Sequence, residues 1–225
     1  AMDVFVAATG PGAASLIQTD TLANTSDGDI FWQGNNFGQG GGGYNGTGQF
    51  TAGAWHRVAW AVDLTTVPAT ITKYVDGIKQ DDWRPSDTLD GRRALQEFAN
   101  LFADGDADER RVMYVDSVQV REGKLPDALL ASLGAPASNG LPINLQPTNV
   151  AGQWDFNRGN LAATAGAALE YFDGPDGDTA TKTQFGTASS FGIPGIDGED
   201  VNVMRVPGDL SNKIGYIMRH RISPN

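Results

Sequence analysis

Residues 55–79, WHRVAWAVDLTTVPATITKYVDGIK, constrain the fold more than any other stretch of the chain. His56, Val58, Trp60 and Val62 alternate with Arg57, Ala59 and Ala61, the period of a strand with one buried face. Residues 63–70 are turn-rich and hold Pro68. Residues 70–75 then read as a second strand, closed by the tight hairpin turn that Asp76-Gly77 signals. A chain organised round such a pair is an antiparallel β protein, and the other apolar segments read as further strands laid around it.

Composition fits that reading. The 225 residues suffice for one large β domain or two small ones, and a hydrophobic fraction of 40% is adequate for a core. The 29 Gly and 11 Pro suit many short strands joined by turns. A net charge of -11 argues against nucleic acid or an anionic membrane as partner, since both need a basic patch. Carboxylates are, however, the ligands that recruit Ca²⁺. With no Cys, disulfides, thiolate chemistry and Cys-zinc sites are excluded. No apolar run is long enough to insert across a bilayer, and no signal peptide pattern is visible. Ala1-Met2 reads as a cloning remnant or an internal start.

Strands are expected at residues 2–8, 15–19, 30–32, 101–103 and 112–120. The one at 2–8 begins with no lead-in, as in a domain entered partway. Residues 34–48 (GNNFGQGGGGYNGTG) form a flexible hairpin loop or a backbone-lined ligand rim, and without GKS or GKT they are no phosphate loop. Residues 127–133 (DALLASL), ended by Gly134, are the one expected helix. The stretch from 135 to 149–150 (APASNGLPINLQPTNV) has the composition of a linker. Beyond it, strands are expected at 152–161, 168–172, 201–206 and 215–220, with a strand edge at 184–191 and a polar loop at 173–183.

Several of these segments resemble a known family. WHRVAWAVDL, TKYVDG, LFADGD and YVDSVQVREGKLPDALLASLG are similar to the second half of a laminin-G-like, concanavalin A-type jelly roll. GQWDFNRGNL, FGTASSFGIPGIDGEDVNVMRVP and GYIMRH are similar to the first half. The resemblance implies an all-β, two-sheet antiparallel jelly-roll sandwich whose halves stand in permuted order, or a piece cut across tandem repeats. Residues 1–134 would supply the late strands and 151–225 the early ones, completing one sandwich because neither half covers its apolar face alone. A monomer and a domain-swapped dimer both satisfy that requirement. The resemblance also implies an extracellular or periplasmic module, of the kind attached to bacterial phosphoesterases or glycosidases.

Asp104, Asp106 and Asp108 place three carboxylates at alternate positions of one loop, a spacing suited to calcium. The position is similar to the calcium loop of pentraxins, and that resemblance adds Asp27 and Asp29, in SDGDIFW, as further metal ligands. The plainer reading is a solvated acidic turn. Asp173, Asp176 and Asp178 form a weaker cluster, read as a loop. Trp32, Tyr44 and Trp83 lie near polar or Gly-rich loops and are candidate platforms for a glycan; Trp55, Trp60 and Trp154 fall in strand patterns and read as core. No paired-acid glycosidase motif and no G-x-S-x-G elbow occurs, and His56 reads as structural. The leading expectation is therefore a non-catalytic recognition module that binds carbohydrate or another extracellular ligand, with or without calcium. A hydrolase of glycosidic or ester bonds using loop carboxylates, and a structural spacer in a repeat protein, are the alternatives.

Overall fold

In the computed structural model, which describes residues 1–19, 30–38, 46–63, 65, 70–80, 96–104, 109–145, 149–208 and 214–222, the alternating segments pair into two antiparallel sheets. The first sheet runs in the order β12 (Gln184–Thr187), β13 (Asn202–Val206), β9 (Met113–Glu122), β1 (Met2–Val6), β5 (Trp55–Asp63), β6 (Thr70–Val75), β7 (Ile78–Lys79), and β10 (Asn149–Trp154) also pairs with β9. The second runs β11 (Glu170–Tyr171), β14 (Ile214–Met218), β8 (Ala99–Asp104), β2 (Ala13–Gln18), β3 (Ile30–Gln33), β4 (Asn36–Gly38). The architecture is the all-β sandwich that the period-two patterning predicts. Strands from both sides of residues 135–149 stand side by side in each sheet.

The inner faces meet as alternation requires. Met2, Val4, Val58 and Val115 of the first sheet share one apolar core with Leu16, Leu101 and Tyr216 of the second. The β6–β7 hairpin closes through Asp76 (φ 51°) and Gly77 (φ 76°), the paired left-handed residues that match the twist of adjoining strands. A side chain at Gly77 would also collide with Ala131 O.

The outer face of the first sheet is covered as well. The helix α1 (Asp127–Ser132) and the residues after it bring Leu130 and Leu133 onto Ala59, Ala61 and Tyr74. At the opposite end Ala188, Ile196 and Val201 pack beside Trp55 and Tyr114. Between these covers lies a buried ion pair: Arg57 Nε and Nη2 donate to the two oxygens of Asp3 at 2.6 and 2.7 Å.

Three local expectations are corrected. Residues 173–183 are not all loop: α2 (Asp178–Lys182) lies within them, so the described residues hold two short α-helices. Asp173 Oδ2 accepts the Thr179 N–H at 2.9 Å, satisfying an amide that the first helical turn leaves without a partner. The strand at 184–191 stops at Thr187, because Ser189–Phe191 turn into a 3-10 helix. Residues 135–145, read as linker, form a strap fastened to the sheet. Its carbonyls at Gly140, Pro142, Ile143 and Leu145 accept bonds from Arg57, Gln119 and Arg121, and Leu141 is buried.

Candidate functional site

A slot interrupts the first sheet where β1 begins. Pairing puts Met2 opposite Val58 of β5 on one side and opposite Val118 of β9 on the other. Its neighbours run further, β5 to Asp63 and β9 to Glu122. The space left between them is the heart of a cavity of about 530 Å³.

The lining shows that this cavity passes through the plane of the sheet. Successive side chains of a strand point to opposite faces. Trp60, Val62, Val118 and Val120 line it from the inner side, and Ala59, Ala61, Gln119 and Arg121 from the outer side. Only a space between two strand edges touches both sets. Ile17, Leu101 and Met218 of the second sheet close it below, and Leu125, Leu130 and Leu133 close it above.

The walls are mostly apolar, and polar groups gather at the rim. Asp63 Oδ1 accepts from the Thr65 N–H and Oγ1–H at 2.9 and 2.6 Å. The Arg121 guanidinium donates to Gln119 Oε1 and to the Pro142, Ile143 and Leu145 carbonyls, tying the strap to the outer rim. Its partial burial lowers the guanidinium pKa, and Lys124 also stands at the rim. The Ala1 amine and carbonyl exchange bonds of 2.9 Å with the Gln119 backbone at the blind end.

Two further polar groupings lie nearby, the first sharing Gln119 with the slot. Below the strap, Gln119, Gln153, Ser117 and Asp155 join in one buried network with Leu141 and Pro142. Asp116 adjoins it at a bulge, where β1 pairs with Ser117 and then Val115. Burial, reinforced by the Asp3 and Asp155 charges, raises the Asp116 carboxyl to about 8. The second grouping is linear: Thr51 Oγ1 lies 3.0 Å from His56 Nε2, and His56 Nδ1 lies 2.7 Å from Asp76 Oδ2. Asp76 Oδ1 also accepts the Arg57 N–H, so the series clasps the hairpin turn to the segment entering β5.

Of the residues singled out from the sequence, Trp32 is in the core, 4% exposed. Its indole N–H donates to Phe50 O at 2.7 Å, and the Arg111 guanidinium sits over the ring. It therefore offers no open face for a sugar, a correction that follows from its place in β3, where IFW is buried at all three positions. Asp104 is the last residue of β8. Asp27, Asp29, Tyr44, Trp83, Asp106 and Asp108 lie outside the described residues. Among the described residues no group of three His, Cys, Asp or Glu side chains is arranged to hold a metal. The slot residues were not singled out from the sequence as a ligand site. Comparison of the chain with protein-family models, curated proteins and solved structures found no match.

Proposed function

We propose that the protein is a non-catalytic recognition module whose ligand site is the slot between β5 and β9. The observation that carries this reading is a cavity of about 530 Å³ with apolar walls inside an otherwise closely paired sheet. Cores normally fill such space, and concave apolar sites of this size are where proteins take ligands. The ligand class this favours is elongated and apolar. A glycan would bury hydroxyls against Leu and Val side chains, at the cost of unmade hydrogen bonds. A glycan-binding surface, with or without calcium, is a different reading, which the slot does not support. It is probed separately by a glycan array run in calcium and in chelator.

The slot reading is tested with the apolar dye anilinonaphthalene sulfonate. Saturable binding at one site, lost in Ala61→Trp while the melting transition persists, is the expected result. Weak, unsaturable binding that Ala61→Trp leaves unchanged would refute it.

A hydrolytic reading has one observation in its favour, the hydroxyl–imidazole–carboxylate series of Thr51, His56 and Asp76. Turnover of chromogenic esters that disappears in Thr51→Val and His56→Gln, with folding retained, would move the function there.

A further inference from the structure

We infer that the first part of the strap, residues 135–141, is a flap over a carboxylate cluster of the first sheet, held shut while Asp116 keeps its proton and released when Asp116 ionises. The ground is the grouping of charges and the way the strap is fastened across it. Three carboxylates gather on the outer face: Asp3 of β1, Asp116 at the β9 bulge, and Asp155 just after β10. Asp3 and Asp116 are 0% and 5% exposed. Against them stands one guanidinium, Arg57, which is committed to both oxygens of Asp3. Asp116 Oδ2 is buried and has no hydrogen-bond partner among the described residues. A neutral carboxyl is tolerated there, whereas a carboxylate needs water or a cation. Burial and the two neighbouring charges accordingly hold the proton on to about 8. Of the other elements packed on β9, β10 presents Gln153, β13 brings Arg205 opposite Tyr114, and the cover at 188–201 holds Asp200 against Ser189. Residues 135–141 contain no ionisable side chain.

The flap is fastened by the longest bonds of the cluster. Arg57 donates to Asp3 at 2.6 and 2.7 Å and to Leu133 O at 2.7 Å, but to Gly140 O at 3.1 Å. The Leu141 N–H donates to Ser117 Oγ at 3.2 Å, and the Ser117 hydroxyl donates to Asp155 Oδ1 at 3.4 Å. Gln153 Nε2 donates to Leu141 O at 3.1 Å. The chain is held independently on either side, at Leu133 by Arg57 and at Ile143 and Leu145 by Arg121. Lifting 135–141 between these anchors costs a few long hydrogen bonds and bares Pro136 and Leu141, while the ladder bonds of β1 and β9 remain. The shut flap lies directly on the cluster: a Cβ at Gly140 (φ 71°) would stand 2.9 Å from Ser117 Oγ and 3.4 Å from Asp155 Oδ1. Lifting it lets water reach Asp116. A hydrated carboxyl titrates near 3.8 and the covered one near 8, so between these values each pH unit favours the open form by up to about tenfold. Above about 8 both forms are ionised and the effect levels off.

The test is amide exchange by NMR on the whole chain and on Asp116→Asn, at pH 6 and pH 8, with protection corrected for the intrinsic rate at each pH. The amide of Leu141 reports the flap, and those of Val4 and Val115 report the sheet beneath. Two results are expected. Leu141 is at least about tenfold less protected than Val4 and Val115, as local opening requires. From pH 6 to pH 8 it also loses at least about tenfold more protection in the unaltered protein than in Asp116→Asn. Equal losses in the two proteins would overturn control by Asp116. Exchange of Leu141 at the same rate as Val4 and Val115 would mean that the segment opens only when the whole molecule unfolds, and would overturn the flap. Should Asp116→Asn fail to fold, the Asp116 carboxyl carbon shift in the unaltered protein decides. Titration near pH 8, with Leu141 protection falling up to that pH and level beyond it, is expected. Titration in the ordinary carboxylate range, or Leu141 protection that ignores it, would overturn the proposal.

Discussion

The two ends of β1 solve the same packing problem differently. At its C-terminal end the strand is sealed. Phe5 meets Trp55 and Tyr114 edge-on, with ring centroids 5.7 and 6.0 Å apart, and the Val6 and Ala7 backbones bond onward to Gly53 and Val112. Arg111 fastens this end by donating to the carbonyls of Ala7, Ala8 and Pro11. At the N-terminal end the flanking strands outrun β1 and a void remains. The same two neighbours flank both ends, and at the second end they run on past Met2. A sheet can be closely paired along most of a strand and still adjoin a cavity at its end.

The most severe break of this contrast is truncation after Gly134. It deletes β10 and β13 beside β9, β12 beyond β13, and β14 beside β8. Circular dichroism should then show no cooperative melting transition; a fragment that melts cooperatively would mean residues 1–134 close both ends unaided. Arg57→Leu comes next. It leaves Asp3 as an unpaired buried carboxylate and frees the strap at Gly140, so urea unfolding should register a loss of about 3–5 kcal/mol.

Asp116 gives a pH-dependent version of the same test, at the bulge midway between the ends. The folded carboxyl holds its proton to about 8 and the unfolded one releases it near 3.8, so the folded state binds more protons between these values. Stability should fall as pH rises across that window, by at most about 1.4 kcal/mol per pH unit. Asp116→Asn, which cannot ionise, should show a flatter profile and become the more stable of the two toward pH 8. Parallel profiles from unfolding curves at pH 5, 6, 7 and 8 would dismiss the protonated Asp116. Its charged surroundings, Asp3, Arg57 and Asp155, are the same in both proteins.

Arg111→Ala should cost about 1–3 kcal/mol by loosening the sealed end alone. The smallest effect sharpens the contrast best. Ala188→Leu, overpacking a fully buried position in the cover near Trp55, should cost about 1–3 kcal/mol. Ala61→Leu, facing the slot, should change stability by less than about 1 kcal/mol, because the added atoms enter existing space. Equal losses would mean that the open end has no usable room.

Much of the sandwich was legible in the sequence, because alternation is a local signal. His56, Val58, Trp60 and Val62 announce the face of β5 turned to the other sheet, though not the cover that also buries Arg57, Ala59 and Ala61, and Asp76-Gly77 announces the turn. The strap was not legible: Ala, Pro and Asn make the same composition whether a segment floats or is pinned. What pins it are backbone carbonyls, and their donors sit on β5, β9 and β10. Trp32 misled because its loop neighbours are polar while its own strand is buried. The slot was hidden for a stricter reason. Its lining comes from β5, β9, α1 and the second sheet, which are far apart in the sequence and meet only in the fold.

The central position of β9 has a consequence for biosynthesis. Its edges are met by β1 from the start of the chain and by β10 and β13 from much later in it. A nascent polypeptide would hold that flank of the Met113–Glu122 segment bare until residue 154 has left the ribosome, and its Met113–Val115 part bare until residue 206 has. Pairings so distant along the chain close slowly, and strand edges left waiting attract foreign strands. Maturation of this protein should therefore lag its translation and depend on chaperones that shield that flank.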